Sequence, residues 1–498
     1  MALYDDGWVT IRGFFNLWPF FFILLSAGQT VDAAGKPHIL QILTTHVAWS
    51  DVGWRSDDFR TPTLDRLRKE GVELFRLYAQ PKSLSAQVAL ATGRYPYTLG
   101  IRASPGASYH SQMNFSLPLE YKLVQEYLQD QGYATKLVGK WLLGFCDWAH
   151  TPLSRGFESH YGTLASAGDH YNHTVNRAGG YDFRSDKEVE WGAQGKYLTT
   201  LLNQRAVDIV RNHSDSNDPR PLFISLSHGA LHAPLQAPDK YVNMCSHISD
   251  SERRLRCAMM AAIDEGVQEI LDVMSDVGYD DNLLVVFTPV NAGGGNYGSE
   301  TYPLRGKKAT LYEGGIRVPA FFHSKTLLPN SSFVYRGLMH QTDMLPTLLK
   351  AAKVATADLP TDIDGVNNWN RIVNKKPSAR KIIVHDVDVE YGWGAVRDGK
   401  WKLIYFKHNA SELCVGWLDF PREEKKPKKV TCKEWELYDM NQDPGEENDL
   451  SELKLSRLNK MKRLYADAEA RAVPHLIVVN TTRTYPDNFG GVWTPYGC

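Results

Sequence analysis

Short apolar runs alternate along the chain with longer segments in which apolar residues recur at helical spacing. Such runs are typical of buried parallel strands, because helices cover both faces of these strands. The predicted strands are residues 38–43, 134–138, 222–226 and 283–288. The predicted helices are residues 123–129, 199–212 and 252–274. This alternation indicates an α/β fold with a large, mainly parallel sheet flanked by helices, whose ligands bind at the carboxyl ends of the strands.

The pattern changes near residue 385. Short strands with turn signals follow at 394–406, then a charged segment, and then a helix at about 453–470. This order is typical of a separate α+β unit. We therefore predict an α/β domain at 36–384 and a smaller C-terminal α+β domain at 385–498.

The first 35 residues are typical of a secretory signal peptide. Arg12 precedes an apolar run at 14–25, and the small residues Ala33 and Ala34 lie near a cleavage point. A membrane anchor is the alternative, but the run is shorter than the ~20 residues that cross a bilayer. We therefore expect residues 1–35 to be removed, no stable membrane span in the mature chain, and a secreted or lysosomal protein.

Glycosylation sequons and cysteines agree with export. The Asn-X-Ser/Thr sequons begin at Asn114, Asn172, Asn212, Asn330, Asn409 and Asn480. The six cysteines of an exported chain are expected to form disulfides. Several pairings are open, and we favour Cys245–Cys257 and Cys414–Cys432 because short loops close easily. No two cysteines have C-x-x-C spacing, which argues against a zinc site.

Composition and charge exclude several classes of protein. Of the 498 residues, 43% are hydrophobic and 23% are charged, as in globular proteins and unlike disordered or multispan membrane chains. The formal net charge of -1 lacks the basic excess of a nucleic-acid-binding protein. The charged segment 422–429 lies between Cys414 and Cys432, and it is either a solvated loop or a patch for glycosaminoglycans.

Several motifs together resemble the sulfatase family of the alkaline phosphatase superfamily, in order and spacing over nearly the whole mature chain. The motifs include Trp49-Ser-Asp-Val-Gly, Arg60-Thr-Pro-Thr-Leu-Asp, Thr92-Gly-Arg-Tyr, Gly139-Lys-Trp, His232-Ala-Pro-Leu-Gln, Pro303-Leu-Arg-Gly-Lys-Lys and Tyr312-Glu-Gly-Gly-Ile-Arg. The resemblance is greatest to the arylsulfatase B (N-acetylgalactosamine-4-sulfatase) type. It implies an alkaline phosphatase-like fold and a family activity of hydrolysing sulfate esters of sulfated glycans.

The family's nucleophile is a formylglycine made from the Cys or Ser of a C/S-x-P-x-R motif. The corresponding stretch begins here at Ser83, but Ser85 and Gln87 stand where the motif has its Pro and its Arg. We therefore expect Ser83 to stay unmodified. An unmodified serine sulfate has no geminal hydroxyl with which to expel sulfate, so the resemblance implies that the covalent route is lost.

Calcium in the family is held by two Asp after the first strand and by an Asp-Asn pair after a later strand. The corresponding residues here are Thr44 and Thr45, then Val290 and Asn291. Ca²⁺ takes six to eight oxygen ligands, and carboxylates set much of its affinity. We therefore expect no functional metal site at these positions and predict no cofactor. Asp51, which the family also keeps, is expected to be structural.

Basic residues of the family's site are retained in part. Lys140, His232 and Lys308 correspond to groups that hold sulfate or protonate the leaving group in the family, whereas Leu142 replaces a His. Each of the three basic residues is either a remnant of the fold or a residual anion contact. A new transition-metal site formed by His46 and His232 is a further alternative.

Three hypotheses follow from these residues. The first is a sulfatase-fold protein without catalysis that keeps weak affinity for sulfated glycans through Lys140, His232 and Lys308. The second is an arylsulfatase-type sulfuric ester hydrolase with a rearranged site. The third is a structural or partner-binding protein without affinity for sulfated sugars. The accumulated losses favour the first, since a single lost electrostatic group costs about 10²–10³ in rate.

Overall fold

A mixed sheet forms the centre of the fold in the computed structural model. The structure describes residues 35–104, 114–165, 168–175, 179–294, 297–328, 332–355, 359, 361–407, 432–478 and 482–496. The strands are β1 His38–Thr44, β2 Val72–Leu74, β3 Leu77–Tyr78, β4 Ala134–Gly139, β5 Ser159–Gly162, β6 Thr174–Val175, β7 Gly179–Tyr181, β8 Arg184–Ser185, β9 Glu188–Val189, β10 Leu222–Ser227, β11 Leu283–Pro289, β12 Phe321–His323, β13 Phe333–Tyr335, β14 Met339–His340, β15 Ile382–Asp388, β16 Trp393–Asp398, β17 Trp401–Phe406 and β18 Trp435–Asp439. The helices are α1 Pro62–Glu70, α2 Ser83–Thr92, α3 Val124–Asp130, α4 Leu198–Asp215, α5 Asp239–Met244, α6 Ser251–Asp276, α7 Glu313–Ile316, α8 Met344–Ala351, α9 Trp369–Val373 and α10 Leu455–Glu469.

The central strands of the sheet run parallel. β1 pairs with β10 on one side and with β11 on the other, and β4 and β5 continue the parallel order beyond β10. Within the described residues, the order across the sheet is β13-β2-β12-β11-β1-β10-β4-β5-β8-β9. Antiparallel pairing occurs at β12 and at β8 and β9. The predicted large, mainly parallel sheet with flanking helices is thus confirmed.

Apolar side chains on both faces explain why β1 lies in the middle. Ile39 and Leu43 belong to a core that packs under α2, α3 and α8. Leu40 and Ile42 belong to a second core under α1, α4 and α6. Alternate residues of a strand face opposite sides, so an apolar strand needs cover on both faces. The same pattern located the predicted strands, which agree with β1, β4, β10 and β11 to within one residue at each end.

The directions of the outer strands place their ends at a shared edge. β12 runs antiparallel to β11, and β2 runs antiparallel to β12. β13 runs parallel to β2. Both β2 and β13 therefore point in the same direction as β1. We call the edge where these strands and the central strands end the carboxyl edge.

A separate four-stranded antiparallel sheet follows, in the order β15-β16-β17-β18. Helix α10 packs on it, with Met461 and Tyr465 in the same apolar core as Val396, Leu403 and Leu437. This sheet and helix confirm the predicted C-terminal α+β unit. The proposed division between residues 384 and 385 falls inside β15 and stays a prediction.

The structure describes some of the features from which export was predicted. The Cys245–Cys257 disulfide is present, with a Cα–Cα distance of 6.1 Å, which confirms this pairing. Cys432 is also disulfide-bonded, but its expected partner Cys414 lies outside the described residues, as does the leader up to residue 34. In the described part of the chain, no helix is both long and apolar enough to cross a bilayer.

The six sequons also lie partly within and partly outside the described residues. Asn172 and Asn212 are exposed, and Asn114 is half-buried. The described residues do not include the charged segment 422–429 or the last three sequons, at Asn330, Asn409 and Asn480. Glycosylation therefore stays a prediction, and the two exposed sequons are accessible to it.

A buried carboxylate ties the segment after β1 to helix α6. Asp51 Oδ2 accepts a hydrogen bond from Arg256 Nη2 at 2.5 Å, and Asp51 Oδ1 lies 3.3 Å from Arg253 Nη1. The Arg256 guanidinium also donates to the backbone carbonyls of His46 and Leu231. All three charged side chains are buried. This network holds the segments after β1 and β10 together, which is the structural role expected of Asp51.

Replacing Asp51 should destabilise the fold strongly. Asp51→Ala leaves two buried guanidinium groups without their shared carboxylate, and breaking a buried ion pair from one side costs about 3–5 kcal/mol. Urea unfolding measured by fluorescence should show this loss in the free energy of unfolding. Asp57→Ala, at a neighbouring exposed position, is the control and should change it by less than about 0.5 kcal/mol. Equal effects of the two substitutions would contradict the assigned role.

Candidate functional site

The residues singled out by sequence gather at the carboxyl edge. Thr44 ends β1, Lys140 directly follows β4, and Asn291 lies two residues after β11. His232 lies in the segment after β10, and Ser83 is the first residue of α2. The position of these side chains agrees with the edge at which parallel sheets bind ligands.

Backbone hydrogen bonds bring Lys308 to this edge. The Lys308 amide donates to the Gly293 carbonyl at 2.8 Å, and the Ala309 amide donates to the Pro81 carbonyl at 3.0 Å. Gly293 belongs to the segment after β11, and Pro81 lies just before α2. Lys308 is thereby held between the end of β11 and the start of α2.

The positions of the expected calcium ligands after β1 and β11 carry no carboxylate. The Thr44 hydroxyl is buried and has no hydrogen-bond partner in the described structure. The Thr45 hydroxyl donates to the Gly229 carbonyl at 2.9 Å. Val290, which is 1% exposed, offers only methyl groups. The Thr44 hydroxyl is thus the one side-chain oxygen at these three positions that has no hydrogen-bond partner in the described structure.

Ser83 and Asn291 are joined directly. Ser83 Oγ donates to Asn291 Oδ1 at 2.9 Å, and Asn291 Nδ2 donates to the Ala292 carbonyl at 2.8 Å. The amide oxygen that would face a cation is therefore already an acceptor for the serine hydroxyl. The two expected positions are brought together, but as partners of each other.

These residues do not fit a calcium ion, which needs six to eight oxygens with several carboxylates among them. Across the part of the chain that is described, no group of three or more His, Cys, Asp or Glu is placed to hold a metal ion. The rings of His46 and His232 lie 4.2 Å apart. Without a third ligand of this kind, the two-histidine metal site has no structural support.

Gln87 and Leu142, two further positions that correspond to the family's site, do not join the other residues. Gln87 lines a separate small cavity of about 20 Å³ between α2, α3 and the sheet, together with Gln41 and Gln125. Leu142 is half-buried and has a φ of 60°. Neither side chain adds a polar group to the carboxyl edge near Lys308.

We define the basic cluster as the nitrogen-bearing side chains at the carboxyl edge: His46, Lys82, Lys140, His232 and Lys308. Lys308 Nζ contacts His46 Nε2, and the His46 ring lies against the His232 ring. Lys140 is 4% exposed and lies close enough to influence the ionisation of Lys308 and both histidines. The cluster thus concentrates basic groups in a partly buried place.

Burial lowers the pKa of every member, and neighbouring cations also lower those of Lys308 and the two histidines. Burial, together with the charges of Lys140 and Lys82, lowers the pKa of Lys308 to about 7. Burial also lowers the pKa of Lys140 to about 8, against an opposing effect of Asp182, and that of Lys82 to about 8. The pKa of His232 falls to about 3 by burial and by the two nearby lysines. Charge repulsion of this kind is relieved when an anion binds.

Sequence reasoning missed part of the cluster. Lys82 was not singled out, although it lies directly before Ser83 at the start of α2. His46 was considered as a metal ligand, whereas it contacts Lys308. The sequence signal that could have identified Lys82 is the occurrence of lysines next to strand ends and helix starts. The contact of His46 with Lys308 spans 262 positions of sequence, and no local pattern predicts it.

The backbone around the cluster has unusual conformations. His46, Leu142 and Ala309 have φ values of 60°, 60° and 63°. The left-handed region costs roughly 1–2 kcal/mol for residues other than glycine. Such residues tend to concentrate at functional sites. The segments at this edge therefore carry backbone strain at these three residues.

Comparisons with known proteins agree with this architecture. Residues 37–354 match the family model described as Sulfatase. Arylsulfatase J of Mus musculus is 31% identical over 488 residues, covering 93% of this chain and 80% of the relative. N-acetylgalactosamine-6-sulfatase of Canis lupus familiaris is 27% identical over 485 residues, covering 90% of this chain and 88% of the relative.

Solved structures show the same fold. Ps i-CgsB in complex with k-i-k-neocarrahexaose has a TM-score of 0.75 at 24% identity, covering 90% of this chain and 95% of that chain. BT4656 in complex with D-glucosamine-2-N,6-O-disulfate has a TM-score of 0.66 at 15% identity, covering 88% of this chain and 98% of that chain. Together with the match to the family model, these similarities confirm the resemblance: the chain belongs to the sulfatase family.

Proposed function

We propose that this sulfatase-family protein binds sulfate esters of glycans through its basic cluster and does not hydrolyse them. One observation carries the proposal. Lys140 and Lys308 lie together at the carboxyl edge with lowered pKa values, and neither forms an ion pair with a described carboxylate. A partly buried group of cations in which basic side chains outnumber nearby carboxylates attracts anions.

The absence of turnover follows from the residues at the nucleophile and metal positions. Ser83 lacks the Pro and the Arg of the modification motif, since Ser85 and Gln87 stand there. A catalytic metal supplies several kcal/mol as a Lewis acid and template, and the threonines after β1 do not replace its carboxylate ligands. Removing the covalent route and the metal site together leaves binding as the function of the edge.

Sulfated amino sugars are the proposed ligands because of the relatives. One relative is an N-acetylgalactosamine-6-sulfatase, and one structural neighbour is bound to D-glucosamine-2-N,6-O-disulfate. Lys140, His232 and Lys308 are the residues that we assign to the sulfate group. Export supports the same ligand class, since residues 1–35 are the proposed signal peptide and the mature chain is proposed to be secreted or lysosomal.

Binding of a sulfate ester should weaken as the pH rises from about 6 to about 9. Lys308, with a pKa of about 7, and Lys140, with a pKa of about 8, are both protonated at the acidic end and lose their protons towards the alkaline end. Calorimetry with N-acetylgalactosamine 6-sulfate should show an affinity at least about ten-fold lower at the higher pH, a loss of about 1.4 kcal/mol. An affinity that is constant or increases over this range would contradict the proposal.

Removing one lysine of the cluster should have a selective effect. Lys140→Met should lower the affinity for the same ligand by about ten-fold or more, because the amine is lost without a large change in packing volume. Lys136→Met is the matched control, since Lys136 lies on β4, just before Lys140, and pairs with Glu158 at 3.1 Å. The control should bind as the unchanged protein does. Equal affinities of all three proteins would remove the cluster from the ligand site.

Restoring carboxylates should separate metal binding from catalysis. The triple variant Thr44→Asp, Thr45→Asp and Val290→Asp should gain a Ca²⁺-dependent rise in Tm, because the buried carboxylates repel one another until a cation neutralises them. The unchanged protein should show no such rise. Neither protein should hydrolyse an aryl sulfate, and mass spectrometry should find Ser83 unmodified.

Turnover requires the nucleophile as well. Adding Ser83→Cys, Ser85→Pro, Gln87→Arg and Leu142→His to the triple variant should permit hydrolysis in cells that carry the maturing enzyme. Hydrolysis by the unchanged protein, micromolar calcium binding by it, or a formylglycine mass at position 83 would instead establish the rearranged arylsulfatase-type hydrolase.

A further inference from the structure

A wide groove opens at the carboxyl end of β13, away from the basic cluster. Its volume is about 670 Å³, and its walls come from the segments after β2 and β13, the segment after α9, and the C-terminal sheet. Six of the lining residues are cationic: Arg76, Arg336, Lys375, Lys376, Arg380 and Lys400. None of the described residues that line it is acidic. The groove therefore has a positive local field in a chain whose net charge is -1.

Two of these cations are already balanced. The buried Arg380 guanidinium pairs with Asp343, and Lys400 Nζ lies 2.5 Å from Asp439 Oδ2. Their charges are balanced within the protein, so these two residues add little to the attraction of the groove for an anionic ligand.

The other four cations form no ion pair with a described carboxylate, and three of them contact neutral groups. Arg76 donates to the Asn441 amide oxygen at 3.1 Å. The Arg336 guanidinium lies 4.3 Å from the centre of the Phe75 ring, and the Lys375 ammonium lies 4.9 Å from that of Phe333. These cation–π contacts orient the charges without cancelling them.

Exposure makes the same cations accessible. Arg336, Lys375 and Lys376 are exposed, and Arg76 is half-buried. Lys376 forms no ion pair with any described carboxylate. A concave surface with four uncancelled positive charges focuses the field and raises the local concentration of anions. Several charges in one groove favour a ligand that carries several negative groups over a single small ion.

The position of the groove relates it to the basic cluster. β13 is four strands from β1 across the sheet, and the two strands point in the same direction. At about 4.8 Å per strand, the ends of β1 and β13 are roughly 19 Å apart along one edge. An extended polyanion is therefore the ligand whose length suits both sites.

We propose that the groove binds a second, internal stretch of a sulfated glycan chain whose end is held at the basic cluster. The choice of a glycan rests on the proposed function, whereas the polyanion site rests on the groove itself. Arg336, Lys375 and Lys376 contact sulfate groups along the chain, and Arg76 adds a fourth positive charge on the side of the C-terminal sheet. The groove gives preference for long sulfated chains over short ones.

The test compares a long and a short ligand. The groove variant carries Arg336→Ser, Lys375→Asn and Lys376→Ser; asparagine is chosen at 375 because that residue has a φ of 52°. Surface plasmon resonance should show at least ten-fold weaker binding of a heparin dodecasaccharide, with binding of N-acetylgalactosamine 6-sulfate unchanged. The control variant Lys69→Ser, Lys187→Ser and Lys196→Ser removes three exposed charges elsewhere and should bind both ligands normally.

Each other outcome has a definite meaning. Unchanged dodecasaccharide affinity in the groove variant, or an equal loss in the control, would overturn the groove as a site. A single-stranded DNA dodecamer that binds as tightly through the same three residues would overturn the assignment to glycans. Lys140→Met should lose the monosaccharide and keep groove-dependent binding of the dodecasaccharide, so failure of the cluster and failure of the groove are distinguishable. Hydrogen exchange of the unchanged protein should show protection at 375–378 when the dodecasaccharide is bound; its absence would also overturn the proposal.

Discussion

Parallel pairing of β1 with β10 and β11 is the constraint on which the rest of the structure depends. The register sets Leu43 opposite Ser227 and Thr44 opposite Pro289, so the three strands end side by side. A slip of one residue would turn every side chain of β1 to the opposite face, and both apolar cores would be lost. Because the register is fixed by packing, the segments that leave these strands meet at one edge, whatever residues they carry.

The charges at that edge decide what it can attract. The resemblance implies that carboxylates and a divalent cation offset the basic residues in the family, whereas here Thr44, Thr45 and Val290 occupy the three carboxylate positions. The lysines remain, and burial lowers the pKa of each of them, while Lys140 and Lys82 also lower that of Lys308. In the proposed function, this change of residues makes the edge favour anions over cations. The fold tolerates this because removing clustered carboxylates also removes their repulsion.

Much of the fold could be predicted from local pattern, since buried parallel strands have a continuous apolar signal that β1 and β11 show clearly. The antiparallel strands towards the two sides of the sheet could not be predicted, because strands of two or three residues such as β8 and β12 are too short to show a hydrophobic pattern. In the site, family motifs placed Ser83, Asn291 and Lys308 at the carboxyl edge, and the structure brings them together there. The contact between His46 and Lys308 depends on how distant segments pack, and sequence spacing carries no information about it.

The network of Asp51, Arg253 and Arg256 anchors the segments after β1 and β10 with charges that belong to the polypeptide itself. Bracing of this kind needs no bound ion or ligand, so it holds the two segments in place whether the edge is empty or occupied.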